Sequence, residues 1–503
     1  MKVPELAEVQ RLLIVGMARS GIAAAQAARR VLPHIEVVIA DRQAQPEAAG
    51  DTSSLEAAGI HLAMGREDHT LLDGCGLVIK SPGVPGDISL IEEAHHRGIP
   101  VWGEVEFAWR FLENPLIGVT GTNGKTTTTE LIGHILSSSG CACRVVGNVG
   151  TPISSLVGRV GEDDILVAEL SSFQIEDSIL LRPDVAVLLN LAEDHLDRYP
   201  DIDSYFAAKM LMFANQQQED LAVLNRDDPA IGEMAIPGAA GRVWYGRVAR
   251  GDRFGPGAGR PLVYLSGGDI RYDQERLRAI SAGVRSKLRS CLAPELPGRC
   301  RNGTAGGEDS KKVIAWSETA LKGEHNLENS LAAAAVCLGI GLGAAKVAAG
   351  LRSFPGVPHR LQPAGTVAGV AYVNDSKATN VDAAIRALTA FDSGIHLILG
   401  GSLKGCSFER LARAATADRD KVKGVYLIGQ AAAAIGESFR RTGGEVVMCG
   451  DLETAFRQAS AAAVPGDVVL LAPACASFDQ FRDYEERGEL FLSLVDESSK
   501  GSD

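Results

Sequence analysis

Residues 121–127 read GTNGKTT, between an apolar run at 116–120 and a helix-forming stretch from about Thr126 to Leu136. Glycines let successive backbone N–H groups wrap phosphate oxygens, and the helix N-terminus adds positive potential. The Lys125 ammonium neutralises β/γ-phosphate charge and the Thr126 hydroxyl can hold Mg²⁺. Strand, phosphate loop (Gly121, Thr122, Asn123, Gly124, Lys125, Thr126, Thr127) and helix in this order confine the segment to an α/β, P-loop ATPase-like domain with a mainly parallel sheet. Val119 stands at the first glycine position of the longer G-x-x-x-x-G-K-[ST] form, so the compact GxxGKT form applies.

At roughly 100 to 200 residues per domain, a chain of 503 residues needs about three cores. Apolar runs at 12–16, 37–41 and 77–81, with an Ala-rich stretch at 21–31, read as strand, helix, strand in a doubly wound nucleotide-binding unit. After the phosphate loop, 165–170, 185–190 and 221–225 are buried-strand candidates. From about Arg247 to Lys312, Gly, Arg, Ser and Pro crowd out periodic apolar residues, which reads as a surface insertion with no assigned role. An Ala-rich helix at 329–339 restores order, 353–358 reads as a linker, and strands at 371–374, 396–400, 425–429 and 468–472 alternate with helical segments. The expected architecture is α/β in three domains. A Rossmann-like domain spans 1–112, the central P-loop domain 113–357 with its insertion at about 247–312, and a C-terminal Rossmann-like domain 358–503.

Lys plus Arg total 50 against 63 Asp plus Glu, and the net charge of −13 repels phosphate backbones and anionic lipid. Nucleic acid is not an expected partner, whereas a local basic pocket for a small anion is compatible with this balance. The nine Cys contain no CxxC pair and read as buried or idle thiols of a reducing cytosol. No apolar run approaches the ~20 residues that a bilayer demands, so a cytoplasmic location without membrane insertion is expected.

A nucleoside triphosphate needs a divalent metal, and the metal needs hard oxygen ligands near the same sheet edge. Glu169 lies inside an apolar strand, where a carboxylate is costly without a cation, and is the expected Mg²⁺ ligand. His195 follows the strand ending near Asn190 and falls at the same edge. Asn326 and Asn329 open the Ala-rich helix; Asn326 suits either a base edge or a helix cap. In the first domain, 16–21 (GMARSG) is half a dinucleotide fingerprint, with Ala18 at the second glycine position. Asp41 suits a sugar or base hydroxyl, and a nucleotide other than NAD is at least as good a fit.

These motifs occur in one order with ELSSFQ at 169–174, NLAEDHLDRY at 190–199, GEHNLEN at 323–329, PHR at 358–360, NDSKATN at 374–380 and APACASFDQF at 472–481. Together they strongly resemble the Mur ligases, and the NDSKATN and ACASFDQF forms resemble the D-glutamate-adding members. The resemblance implies an ATP-dependent amide ligase of peptidoglycan precursor synthesis, in which the carboxylate of UDP-N-acetylmuramoyl-L-alanine is phosphorylated and the amine of D-glutamate attacks the acyl phosphate. It further implies two Mg²⁺ ions, held by Thr126, Glu169, His195 and a carbamylated Lys209. Residue by residue, it places Ser20, Ser81, Gly83 and Asn148 on the UDP-sugar and Asp41 and Arg42 at uracil. Asn326, Arg360, Asp375 and Lys377 fall around ATP, and Thr379, Lys404, Ser477 and the backbone near Tyr484 at D-glutamate. Lys125, Glu169, His195, Lys209 and Arg360 carry the chemistry, and a monomer is expected.

Three departures stand out: Leu403 precedes Lys404 where relatives commonly carry an acidic residue, Arg19 and Arg42 are bulky for a uracil pocket, and the insertion has no counterpart. Another Mur ligase, a folylpolyglutamate synthetase-like ligase and a nucleotide-gated binding protein are the competing readings. A UDP pocket in the first domain argues against the folate enzyme, and a second metal site argues against a pure binder.

Overall fold

The computed structural model describes residues 6, 9–44, 52–194, 198–248, 261–283, 288, 310–321, 323–403, 407–418 and 420–500. The chain divides into two compact units, Met1–Pro355 and Gly356–Asp503.

The first unit contains two sheets. The N-terminal one comprises β1 (Arg11–Val15), β2 (Glu36–Asp41), β3 (Ile60–Met64), β4 (Leu77–Lys80) and β5 (Val101–Gly103), all parallel in the order β3-β2-β1-β4-β5. Order reverses between β1 and β4, so a crevice opens outside their C-terminal ends. The helix Arg19–Val31 buries Ala23, Ala24, Ala25, Ala27 and Ala28, which lets it lie close on the sheet. Arg29 and Arg30 in its last turn complement the helix dipole.

The central sheet has nine strands: β6 (Leu116–Thr120), β7 (Cys143–Gly147), β8 (Ile165–Glu169), β9 (Val185–Leu188), β10 (Leu221–Asn225), β11 (Gly241–Arg247), β12 (Val263–Ser266), β13 (Asp269–Asp273) and β14 (Ser310–Ala315). Their order is β14-β13-β12-β11-β10-β9-β6-β8-β7, parallel from β12 to β7, with β13 and β14 antiparallel. This corrects part of the expected insertion. Within 247–312, β12, β13 and the helix Gln274–Gly283 are regular, and β14 begins at Ser310. Leu262, Val263, Tyr264 and Ile270 are buried there, so consecutive residues at the start of β12 are covered on both faces of the sheet. Residues 249–260, 284–287 and 289–309 of that segment lie outside the described set.

The two N-terminal sheets share one unit because charged side chains stitch them together. Glu106, fully buried, accepts N–H bonds from Ile179, Leu180 and Leu181 and pairs with Arg110 at 2.8 Å. Glu104 accepts from Ser154 N at 2.7 Å, Arg30 donates to the Val157 carbonyl at 3.0 Å, and Lys80 pairs with Asp177 at 2.7 Å. Burial lifts the Glu104 carboxyl to about 6, partly opposed by its bonds to Ser154.

The second unit holds β15 (Gln362–Val367), β16 (Val370–Asn374), β17 (Ile395–Gly400), β18 (Val422–Ile428), β19 (Val447–Gly450) and β20 (Val468–Leu471), ordered β15-β16-β20-β17-β18-β19. All pairs are parallel except the β15–β16 hairpin. Among the described residues, no helix is long and apolar enough to cross a membrane.

Candidate functional site

The phosphate loop joins β6 to the helix Lys125–Ser138, and parallel pairing puts the ends of β8 and β9 beside it, with Val119 opposite Glu169 and Thr120 opposite Leu188. Two asparagines hold its shape. Asn190 Oδ1 accepts from Asn123 N (2.7 Å) while its Nδ2 donates to the Asn123 carbonyl (3.0 Å). Asn329 Oδ1 accepts from the Thr128 hydroxyl (3.2 Å), and Asn326 Oδ1 accepts from Asn329 Nδ2 (3.3 Å). The helix Glu324–Gly339 is capped by Gly323, so Asn326 is a first-turn residue and the helix-cap reading of it is set aside. Thr126 and Thr127 lie buried in the first turn after the loop, while Lys125 Nζ donates to the carbonyls of Gly121 and Thr122, both at 2.9 Å.

Gly124 has φ +81°, and a Cβ there would lie 2.2 Å from Asn329 Oδ1. Neither the backbone conformation nor the space admits a side chain. Gly124→Ala is expected to raise the KM for nucleotide about tenfold or more and to lower stability by about 1 to 3 kcal/mol. Nucleotide titration and thermal unfolding check this; wild-type values in both would refute the clamp.

Glu169 is 3% exposed at the end of β8. Asn148 Nδ2 donates to its Oε1 at 3.0 Å, whereas Oε2 is buried with no hydrogen-bond partner among the described residues. A buried acceptor without a donor fits a divalent cation. Among the described residues no three His, Cys, Asp or Glu side chains gather as a metal cage. Glu169 could hold a divalent cation whose remaining ligands include phosphate and water oxygens, the manner of Mg²⁺. His195 lies outside the described residues.

Lys209 is 1% exposed on the helix Ile202–Met210. Its Nζ donates to the Gly121 carbonyl at 3.1 Å and sits 4.5 Å from the Tyr205 ring centroid. Burial, with Lys125 nearby and Asp194 opposing, lowers its pKa to about 7. The solvated helix lysine that composition alone suggests is thus a buried amine at the phosphate loop, more readily deprotonated than an exposed lysine.

A cleft of about 410 Å³ opens at the β1/β4 switch point. Ser20, Asp41, Arg42, Ser81, Gly83 and Asn148 all line it. Asp41 also does structural work: Oδ2 accepts from Met17 N (2.8 Å) and Oδ1 from Gln43 N (2.9 Å). The Ser81 hydroxyl donates to the Gly16 carbonyl at 2.9 Å. Two cations, one at the end of β4 and one in the turn before the helix Ile202–Met210, fix the loop carrying Gly83, since Lys80 Nζ (2.9 Å) and Arg198 Nη2 (3.0 Å) both donate to the Val84 carbonyl. Gln174, which lines the cleft too, offers its amide NH₂ because Oε1 is taken by Ser171 N and Oγ. Lys80, Gln174, Asn190, Arg198 and Tyr205 were not singled out from sequence. Those in the ELSSFQ and NLAEDHLDRY motifs carried the only available signal.

In the second unit, Asp375 follows β16, is buried, and accepts from Leu361 N at 3.1 Å. Burial raises its pKa to about 6, with Leu361 N–H, Arg360, Arg386 and Lys377 opposing. Lys377 Nζ lies 5.7 Å from the Tyr484 ring centroid, and the Tyr484 carbonyl accepts from the Ser376 hydroxyl at 2.8 Å. Thr379 N donates to the Lys377 carbonyl, and Ser477, buried after β20, accepts at its own carbonyl from Phe481 N. Arg360, Asp375, Lys377, Thr379 and Tyr484 therefore share one edge of this unit with Ser477, and Lys404 lies outside the described residues.

Residues 119–246 match the Mur ligase middle domain and 359–475 the Mur ligase glutamate ligase domain. The chain is 39% identical to the UDP-N-acetylmuramoylalanine–D-glutamate ligase of Pelotomaculum thermopropionicum, over 98% of both chains. It is 40% identical to that of Anaeromyxobacter dehalogenans, over 99% of this chain and 100% of the relative. Among solved structures, the UDP-N-acetylmuramate-alanine ligase of Thermotoga maritima superposes with a TM-score of 0.54 at 19% identity, covering 97% and 99% of the two chains. A MurF ligase of Thermotoga maritima in complex with ADP gives 0.51 at 16% identity, covering 97% and 98%.

Proposed function

The chain belongs to the Mur ligase family, and on that premise we propose that it joins D-glutamate to UDP-N-acetylmuramoyl-L-alanine, using ATP, in the cytoplasmic assembly of peptidoglycan precursors. What carries the reading is the near-full-length likeness to D-glutamate-adding ligases in a chain whose phosphate loop is flanked by a buried lysine and an orphaned carboxylate oxygen.

A carboxylate is a poor electrophile, and transfer of the ATP γ-phosphoryl group gives it a leaving group. The D-glutamate nitrogen then bonds to the acyl carbon and inorganic phosphate departs. Backbone N–H groups of Gly121 to Thr127 and the Lys125 ammonium bind and orient the triphosphate. Glu169, Thr126, His195 and a carbamylated Lys209 would hold two Mg²⁺ ions, whose charge offsets the clustered phosphate oxygens. Asn326, Arg360, Asp375 and Lys377 serve ATP. The cleft lined by Ser20, Asp41, Arg42, Ser81, Gly83 and Asn148 takes the UDP-sugar, and Thr379, Lys404, Ser477 and the Tyr484 backbone take D-glutamate.

The test pairs UDP-N-acetylmuramoyl-L-alanine with D-glutamate, L-alanine or a diamino acid and measures phosphate released per amide formed. Stoichiometric phosphate with D-glutamate is the expected result. Phosphate release only with another pair would reject this substrate assignment.

A further inference from the structure

Arg487 stands on the helix Tyr484–Lys500 and is wholly buried. Its five N–H donors meet five acceptors, every one of them neutral. Nε donates to the Ser376 hydroxyl (2.9 Å), and Nη2 to the carbonyls of Ser376 (2.9 Å) and Cys475 (3.2 Å). Nη1 donates to the carbonyls of Ala476 (3.4 Å) and Gly400 (3.5 Å).

These acceptors lie at the C-terminal ends of β16, β17 and β20, which are neighbours at the centre of the sheet. The same loops carry Asp375, Lys377, Thr379 and Ser477. Gly400 and Gly401 let them approach, since a Cβ on either would lie about 2 Å from a backbone carbonyl oxygen, 1.9 Å from that of Ile428 and 2.1 Å from that of Ala476.

Hydrogen bonding is therefore complete while charge is not. Burial lowers the guanidinium pKa only to about 10, so it remains a cation at neutral pH. The nearby Asp479 carboxylate turns to Gln430 N (2.9 Å) and the Ser402 hydroxyl (3.4 Å). Among the described residues no carboxylate is bonded to this buried cation, which is unfavourable unless something else supplies the opposite charge. Glutamate's amine must face outward to reach an acyl carbon, and its side-chain carboxylate is the group that can extend away from that amine toward the sheet edge.

We propose that Arg487 is a positioning residue that selects an acidic amino acid, holding the three loops and balancing its charge against the side-chain carboxylate of the incoming substrate. This rests on the reading of this edge as the D-glutamate site.

The experiment compares wild type, Arg487→Lys and Arg487→Met with D-glutamate and with D-glutamine, taking kcat/KM or, for the slower amine, its competitive Ki. Arg487→Lys keeps the charge but has three donors in place of five and lacks the planar fork that reaches all three loops. It is expected to weaken both amines while leaving the D-glutamate/D-glutamine preference within about threefold of wild type. Arg487→Met is expected to reduce that preference about tenfold or more, with the KM for the UDP-sugar unchanged. A wild-type preference in a folded Met variant would overturn the proposal. So would loss of the preference in the Lys variant, which decides the matter alone if thermal unfolding shows the Met variant unfolded. Absence of any D-glutamate turnover in wild type would instead reject the functional reading.

Discussion

Lys209→Ala is expected to cut turnover by about three orders of magnitude while leaving the KM for ATP within a few-fold of wild type. The side chain is buried at the phosphate loop, donates to the Gly121 carbonyl and packs on Tyr205, so its amine faces the loop and not solvent. An unmodified ammonium there would stand beside Lys125 in a dry site, and the two repel. In the proposed carbamylation, attack of the neutral amine on CO₂ would form an N–C bond and release a proton, and would replace that ammonium with an anionic oxygen ligand. Short carboxylic acids entering the space vacated in Lys209→Ala should restore part of the activity by supplying the missing oxygen. Removal of CO₂ and bicarbonate should lower wild-type turnover and leave the alanine variant unaffected. Full turnover of the alanine variant, or indifference of wild type to CO₂, would end this account of Lys209.

Lys209 also marks where sequence reading stops. Its neighbours in 205–209 have the composition of an ordinary helix, and only likeness to a family singles it out; burial follows from packing between residues 88 positions apart. The phosphate loop was legible because its chemistry is local: strand, glycines, lysine and helix lie within about two dozen residues. The strands β1, β6, β10 and β17 were legible for a similar reason, as short apolar runs bounded by turn residues. β3 reads IHLAM and β7 reads CRVVG, where half-exposed positions break the apolar pattern, and β12 to β14 are hidden by the Gly- and Arg-rich residues around them. Arg487 could not be read at all, since its partners lie 11 to 111 residues away and are mostly carbonyls, which every residue possesses. Glu169 was readable because a carboxylate in an apolar strand violates the local pattern, and such violations collect at functional sites.

That violation yields the second large effect. Glu169→Gln keeps the volume of the side chain and an acceptor for Asn148 Nδ2, but replaces the buried Oε2, which has no partner among the described residues, or its equivalent by a neutral amide. Without metal, the wild-type carboxylate is a charge held in a nearly dry strand end, so neutralising it should leave thermal stability equal or higher by up to about 1 kcal/mol. With metal and nucleotide the sign reverses. The variant loses an anionic oxygen ligand, and turnover should fall about a hundredfold or more, with the Mg²⁺ concentration for half-maximal activity rising at least tenfold. A purely structural glutamate would give the opposite pair of results, lower stability and an unchanged Mg²⁺ requirement. Unfolding of the metal-free protein together with a Mg²⁺ titration of activity separates the two, because a ligand that waits for its cation costs the empty protein stability and a scaffold residue does not.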